Sequence, residues 1–237
     1  PPLRLGHRGD AFGAGQGLNP KAVLLDLDGT LLDTVPDLHL AANAMLRELG
    51  RPEVGVDAMR RYVGRGIPNL VKRLLAESLG AADDPAPPPA DALAAFRRHY
   101  AEVNGHHTAI YPGVLEGLTL LKAKGLPMGV ITNKAADFVR PLLDRTGLLP
   151  FFDTVVGGDT LPKSKPDPMP VVWACGRLGV SPADALMIGD SVNDARAARA
   201  AGCRIFLVPY GYNEGRDVRE LEADAIVGSI LEAARQL

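Results

Sequence analysis

The sequence predicts an α/β fold: a Rossmann-like, mostly parallel sheet with helices on both faces, plus an all-helical insert after the first strand. Three observations carry this. Short apolar runs recur, each too short for a helix and bounded by turn residues. Helical patterns separate them in alternation, which calls for right-handed βαβ units. One stretch, from Pro36 to about His107, breaks the alternation and holds helix patterns alone.

The elements follow in order. Pro1 to Asn19 is rich in Gly and Arg without periodicity and reads as a disordered leader. Ala22 to Leu25, closed by Asp26-Leu27-Asp28-Gly29, is the first strand, and its continuous apolar character suits a strand buried on both faces. In the insert, Leu38, Ala42, Met45, Leu46 and Leu49 share a helix face, and Gly50 stops it. Asp57 is placed to cap a short helix to Val63. Ile67 to Leu79 and Ala90 to Val103 are two more helices, joined by a proline-stiffened linker, Ala81 to Pro89. Past the insert, strands are expected at Leu126–Thr132, Phe152–Val156, Ala185–Ile188, Arg204–Val208 and Ala225–Val227. Helices are expected at Val114–Lys124, Ala135–Thr146, Pro166–Leu178 and Val192–Ala201, each followed by a glycine at or near its end. Residues 1–19 are therefore expected to be the leader, 20–35 and 108–237 the α/β core, and 36–107 the helical insert.

Composition narrows the function. The 237 residues carry 26 Lys+Arg against 28 Asp+Glu, a net charge of −2, which is not the footprint of a nucleic-acid binder. No apolar run is long enough to suggest a membrane span, and Pro1 to Pro20 lacks the apolar core of a secretory signal. Cys175 and Cys203 form no CxxC pair, so a reducing cytoplasm is expected. Cys175 should pack in its helix, Cys203 at a strand start and Trp173 in the core. His39 reads as a surface helix residue, and the adjacent His106 and His107 lack ligand spacing.

In a parallel α/β sheet, ligands bind beyond the carboxyl ends of the strands. Those ends present Asp26, Asp28, Gly29 and Thr30; then Thr132, Asn133 and Lys134; then Lys163 and Lys165; then Gly189, Asp190, Ser191 and Asp194. Taken singly, each is an ordinary turn, cap or loop lysine. Together they place acids, a hydroxyl, an amide and lysines at four strand ends. Crowded carboxylates repel by about 4 kcal/mol per pair at 4 Å and an effective dielectric near 20, and a hard divalent cation such as Mg²⁺ relieves that. Such a cation beside a hydroxyl, free N–H groups and a lysine makes a phosphate site. A carboxylate there can attack phosphorus, and a second one can move the proton.

Four segments carry a resemblance: Val23-Leu24-Leu25-Asp26-Leu27-Asp28-Gly29-Thr30-Leu31-Leu32-Asp33, Gly129-Val130-Ile131-Thr132-Asn133-Lys134, Lys165-Pro166-Asp167-Pro168 and Met187-Ile188-Gly189-Asp190-Ser191-Val192-Asn193-Asp194. On these the chain resembles the haloacid dehalogenase superfamily of phosphohydrolases over about Ala22 to Glu232. The resemblance implies Asp26 as nucleophile and Mg²⁺ ligand, and Asp28 as general acid/base with its backbone carbonyl on the metal. It implies Thr132 and the Asn133 N–H on the phosphate, with Lys165 offsetting its charge. Asp190 would bind Mg²⁺, Asp194 would support the metal waters, and Thr30 would steady the turn. The insert looks like the family's helical cap domain, which closes over the site. Tyr62-Val63-Gly64-Arg65-Gly66, Tyr111-Pro112-Gly113-Val114 and Tyr210 to Gly215 are most similar to the bacterial phosphoglycolate phosphatases. Arg65, between two glycines, is the candidate to meet a substrate carboxylate.

The expected function is Mg²⁺-dependent hydrolysis of a small phosphomonoester, first of all 2-phosphoglycolate. A phosphomutase of the same fold, or a phosphatase for another small phosphoester such as a sugar phosphate, is the alternative. A dehalogenase would need neither Asp28 nor a metal. The expected partner is a small phosphorylated metabolite, with no nucleic acid or membrane, in a cytoplasmic monomer or homodimer.

Overall fold

A computed structural model describes residues 19–80 and 87–237. The first eighteen residues of the expected leader, and residues 81–86 of the proline linker, lie outside the described residues. In chain order the elements are β1 (Ala22–Leu25), β2 (Leu32–Asp33), α1 (Val35–Glu48), α2 (Val56–Tyr62), α3 (Gly66–Ser78), α4 (Ala90–Val103), β3 (Ala109–Ile110), α5 (Val114–Ala123), β4 (Met128–Ile131), α6 (Ala136–Arg145), β5 (Thr154–Val156), α7 (Met169–Arg177), β6 (Ala185–Gly189), α8 (Val192–Ala201), β7 (Arg204–Leu207), β8 (Ala225–Ile226) and α9 (Ile230–Gln236). Among the described residues, no helix is long and apolar enough to cross a membrane.

The main sheet is parallel throughout, in the order β5-β4-β1-β6-β7-β8. β1 lies between β4 and β6, so the chain turns from one side of the sheet to the other at its centre. That is the topological switch point at which such sheets bind ligands. Successive side chains of a strand point to opposite faces. Val23 and Leu25 of β1 accordingly join Leu118, Leu142 and Ala233 on one face, whereas Leu24 joins Val171, Ala174 and Ala198 on the other. Full burial of β1, β4 and β6 explains why they read as unbroken apolar runs.

Helices α1 to α4 form their own apolar cluster, which Phe138 of α6 and Tyr212 join from the core side. The sequence reading did not find the short antiparallel pair of β2 and β3, which brackets this insert. Two residues per strand are too few to show an alternation.

Several expectations are corrected. β5, β7 and β8 are one or two residues shorter than their apolar runs and β4 is three shorter, whereas β6 runs one residue further, to Gly189. Asp57 is not the cap of α2; Gly55 occupies that position and Asp57 lies in the first turn. α7 begins at Met169 rather than Pro166, since Pro166 and Pro168 offer no N–H and Asp167 Oδ1 instead accepts from Met169 N at 2.9 Å. Trp173 is exposed, with Arg177 over its ring. His39 is half-buried, with its Nε2 2.8 Å from the Val54 carbonyl. α8 spans the expected residues and ends at Gly202, whose φ of 73° suits a residue without Cβ.

Candidate active site

The carboxyl ends of β1, β4 and β6 face the insert. Asp26 directly follows β1, Thr132 and Asn133 follow β4, and Asp190 follows β6. Lys165 arrives from the loop between β5 and α7, and Asp194 from the first turn of α8. Gly29 turns the chain back after Asp28 with a φ of 88°. A Cβ at that position would overlap Asp190 Oδ2, so both the conformation and the space require glycine.

Asp26, Asp190 and Asp194 are all buried, and each offers a carboxylate oxygen within 4.8 Å of the others. Lys165 is the cation among them. Its Nζ, 4% exposed as a residue, lies 2.8 Å from Asp26 Oδ1 and 2.6 Å from Asp194 Oδ1, and donates to the Ile131 carbonyl at 2.7 Å. Three carboxylates against one ammonium leave an excess of negative charge out of water. Burial, then the Asp194 charge, push the Asp190 carboxyl up to about 7. Burial and the Asp194 and Asp190 charges hold Asp26 well above the usual carboxylate range, against the opposing pull of Lys165. Burial lowers the Lys165 ammonium, but the Asp194 and Asp26 carboxylates outweigh it and raise the group above its ordinary value. Carboxylates that resist ionising until a cation joins them are a donor set suited to a hard divalent ion. The donors therefore fit Mg²⁺.

Asp190 is positioned by Thr30 Oγ1, which donates to Oδ1 at 3.1 Å, and by Tyr212 N, which donates to Oδ2 at 2.7 Å. Asp194 Oδ2 accepts from Asp190 N, Ser191 N and Ser191 Oγ at 3.2, 3.0 and 2.6 Å. With its Oδ1 on Lys165, Asp194 ties the Asp190–Ser191 turn to the lysine. Thr30 thus does more than steady its own turn.

Asp28 belongs to a separate arrangement. Its Oδ1 accepts from Thr34 Oγ1 at 2.6 Å and from Lys134 Nζ at 3.0 Å. Among the described residues its Oδ2 has a single long contact, 3.5 Å from Thr132 Oγ1. Each of the two first-strand acids therefore has its own buried lysine. The sequence reading gave Lys134 no role, although it stands directly after Thr132 and Asn133. Lys163 is exposed and pairs with Asp167 at 3.0 Å, so Lys165 is the lysine that enters. The Asn133 side chain donates to the Gly64 and Lys165 carbonyls at 2.9 and 2.8 Å, joining insert and core.

Asp26, Asp28, Thr132, Asn133, Lys134 and Lys165 share one cavity with about 50 Å³ of free space. Its insert wall is apolar at Leu38, Val63, Ile67 and Leu70 and ends in Tyr100. The structure does not bring Arg65 to this group. Its neighbours Gly64 and Gly66 line the cavity, while its guanidinium forms a two-point ion pair with Glu214 and is about half exposed. Glu214 stands in a turn at positive φ, and nothing local in the sequence announced the pair.

Residues 23–208 match the family model for haloacid dehalogenase-like hydrolases. The chain is 53% identical to a phosphoglycolate phosphatase of Thiobacillus denitrificans, over 90% of this chain and 94% of that protein. It is 53% identical to a phosphoglycolate phosphatase of Nitrosospira multiformis, over 91% of this chain and 94% of that protein. Among solved structures, that of a predicted phosphoglycolate phosphatase from Haemophilus somnus 129pt superposes with a TM-score of 0.83, at 32% identity, over 92% of this chain and 97% of that one.

Proposed function

The chain belongs to the haloacid dehalogenase-like hydrolase family and is a phosphoric monoester hydrolase, and on that premise we propose that it converts 2-phosphoglycolate to glycolate and phosphate through an aspartyl phosphate on Asp26, with Mg²⁺ as cofactor. The observation that carries the chemistry is the pairing of each first-strand acid with its own buried lysine at the mouth of one cavity.

Asp26 is the nucleophile. Its Oδ1 is on Lys165, and its carboxylate attacks phosphorus as the bond from phosphorus to the ester oxygen breaks. Asp28 gives its proton to that leaving oxygen, which departs as the glycolate hydroxyl. Water then attacks the aspartyl phosphate. Asp28 takes the proton from that water, phosphate leaves, and the Asp26 carboxylate is restored. Anchoring of Asp28 Oδ1 by Thr34 and Lys134 leaves Oδ2 to carry the proton both ways. Thr132 and the Asn133 N–H hold the phosphoryl oxygens, and Lys165 offsets their charge. Asp26, Asp190 and the Asp28 carbonyl would hold Mg²⁺, which when bound neutralises phosphoryl charge and the excess of carboxylates.

The substrate rests on the relatives' names. The same reading takes the enzyme as cytoplasmic, a monomer or homodimer acting on a small metabolite. The test is phosphate release from 2-phosphoglycolate, glucose 6-phosphate and glucose 1-phosphate, with EDTA or Mg²⁺. Mg²⁺-dependent release from 2-phosphoglycolate without a bisphosphate activator supports hydrolysis. A preference for either hexose phosphate, or interconversion of the two, overturns it.

A further inference from the structure

Tyr100 is 1% exposed, yet its hydroxyl is buried with no hydrogen-bond partner among the described residues. It lies on α4 of the insert and lines the catalytic cavity. Its ring packs on Phe96 and Phe138, with centroids 5.8 and 4.9 Å away. Phenylalanine would keep that packing without burying an unsatisfied polar group. The hydroxyl therefore has a use that packing does not explain. Burial pushes it up to about 12, so it stays protonated and can donate.

Its neighbour decides the chemistry. Lys134 Nζ lies 4.7 Å from the Tyr100 ring centre and 3.0 Å from Asp28 Oδ1. The rest of the insert wall is apolar at Leu38, Val63, Ile67 and Leu70. A ligand group reaching past Asp28 thus meets one ammonium and one free hydroxyl donor on an otherwise oily surface. That combination recognises an anion.

The order of groups fixes which part of the substrate this is. Asp26 is the site of the phosphoryl group and Asp28 of the ester oxygen. Lys134 and Tyr100 continue on the Asp28 side, where the leaving group must lie.

We propose that the Tyr100 hydroxyl, with the Lys134 ammonium, binds the carboxylate of the substrate's leaving group and so makes the enzyme selective for acidic over neutral small phosphoesters. This rests on the phosphatase reading above but not on 2-phosphoglycolate being the substrate. It assigns to Tyr100 the role that the sequence suggested for Arg65.

The test is Tyr100→Phe, assayed on 2-phosphoglycolate and on ethyl phosphate, which has a methyl group where the first has a carboxylate. A site built around a polar group discriminates strongly against losing its partner. The expected result is a fall in kcat/KM of at least about 10-fold for 2-phosphoglycolate, mainly through KM, and less than about 3-fold for ethyl phosphate. The ligand-free variant should melt no lower than the wild type, because an unsatisfied hydroxyl is gone. Equal losses on both esters would mean a packing role and overturn the proposal, as would no loss on either. If the wild type leaves 2-phosphoglycolate intact, that substrate falls by itself. The comparison then passes to 3-phosphoglycerate against glycerol 3-phosphate, and a wild type with no preference for the acidic ester in either pair overturns the role of Tyr100.

Discussion

Replacing Lys165 by Met removes the one ammonium that lies among Asp26, Asp190 and Asp194 while keeping an unbranched side chain of similar length. The lysine contacts Asp26, Asp194 and the Ile131 carbonyl at 2.8, 2.6 and 2.7 Å, all buried. Removing one partner of a buried ion pair costs about 3–5 kcal/mol, because the remaining charge stays out of water. For a chain of this size that is a Tm loss of about 6–20 °C, at about 2–4 °C per kcal/mol. The assay is thermal unfolding in EDTA at pH 8 and pH 5, then with Mg²⁺. Asp190 and Asp26 already have raised values in the folded protein, and losing Lys165 raises Asp26 further. A raised carboxyl gives stability that is full below its unfolded value, about 4, and is lost as the pH climbs through its folded value. The Lys165→Met deficit should therefore be largest at pH 8 and shrink at pH 5. It should also shrink when Mg²⁺ supplies the missing charge. A loss under about 2 °C, or a deficit equal at both pH values, would refute the charge-compensating role.

Asp26→Asn should lower kcat by at least about 10³-fold and leave no acid-stable phosphoryl label on the protein, read by mass spectrometry after a rapid quench; a labelled variant would move the nucleophile elsewhere. Gly29→Ala should cut kcat/KM by at least about 10²-fold while the chain stays folded, since the added Cβ displaces the Asp190 carboxylate; near-normal activity would show that the turn relaxes freely. Arg65→Ala and Glu214→Gln should each change kcat/KM by less than about 5-fold, alike for 2-phosphoglycolate and ethyl phosphate, because the Arg65 guanidinium is paired with Glu214 and does not line the cavity. A loss confined to the acidic ester in Arg65→Ala would return Arg65 to the substrate.

The parts of this protein legible in its sequence are the local ones. β1 reads as a strand because Ala22 to Leu25 are all buried, and α8 reads as a helix because its apolar positions and Gly202 lie within one short segment. Strand-end placement also put Asp26, Asp28, Thr132, Lys165 and Asp190 at one edge of the sheet, since parallel topology brings successive carboxyl ends together whatever the loops do. The same local logic failed where burial depends on a distant partner. Trp173 has a core residue's character but lies exposed on α7 with the Arg177 guanidinium over its ring, and His39 is held by the Val54 carbonyl across a loop.

Sequence by itself determined the fold class, the alternation of its elements and which acids stand at the strand ends, because hydrophobic period and strand-end residues are properties of short segments. Only the tertiary structure decided which cation serves which acid, and what the insert contributes. Lys134 meets Asp28 across 106 positions, Arg65 meets Glu214 across 149 and the Thr34 N–H meets the Tyr212 hydroxyl across 178. Such pairs leave no periodic trace in the chain, since they exist only after the sheet has closed and the insert has docked on its edge.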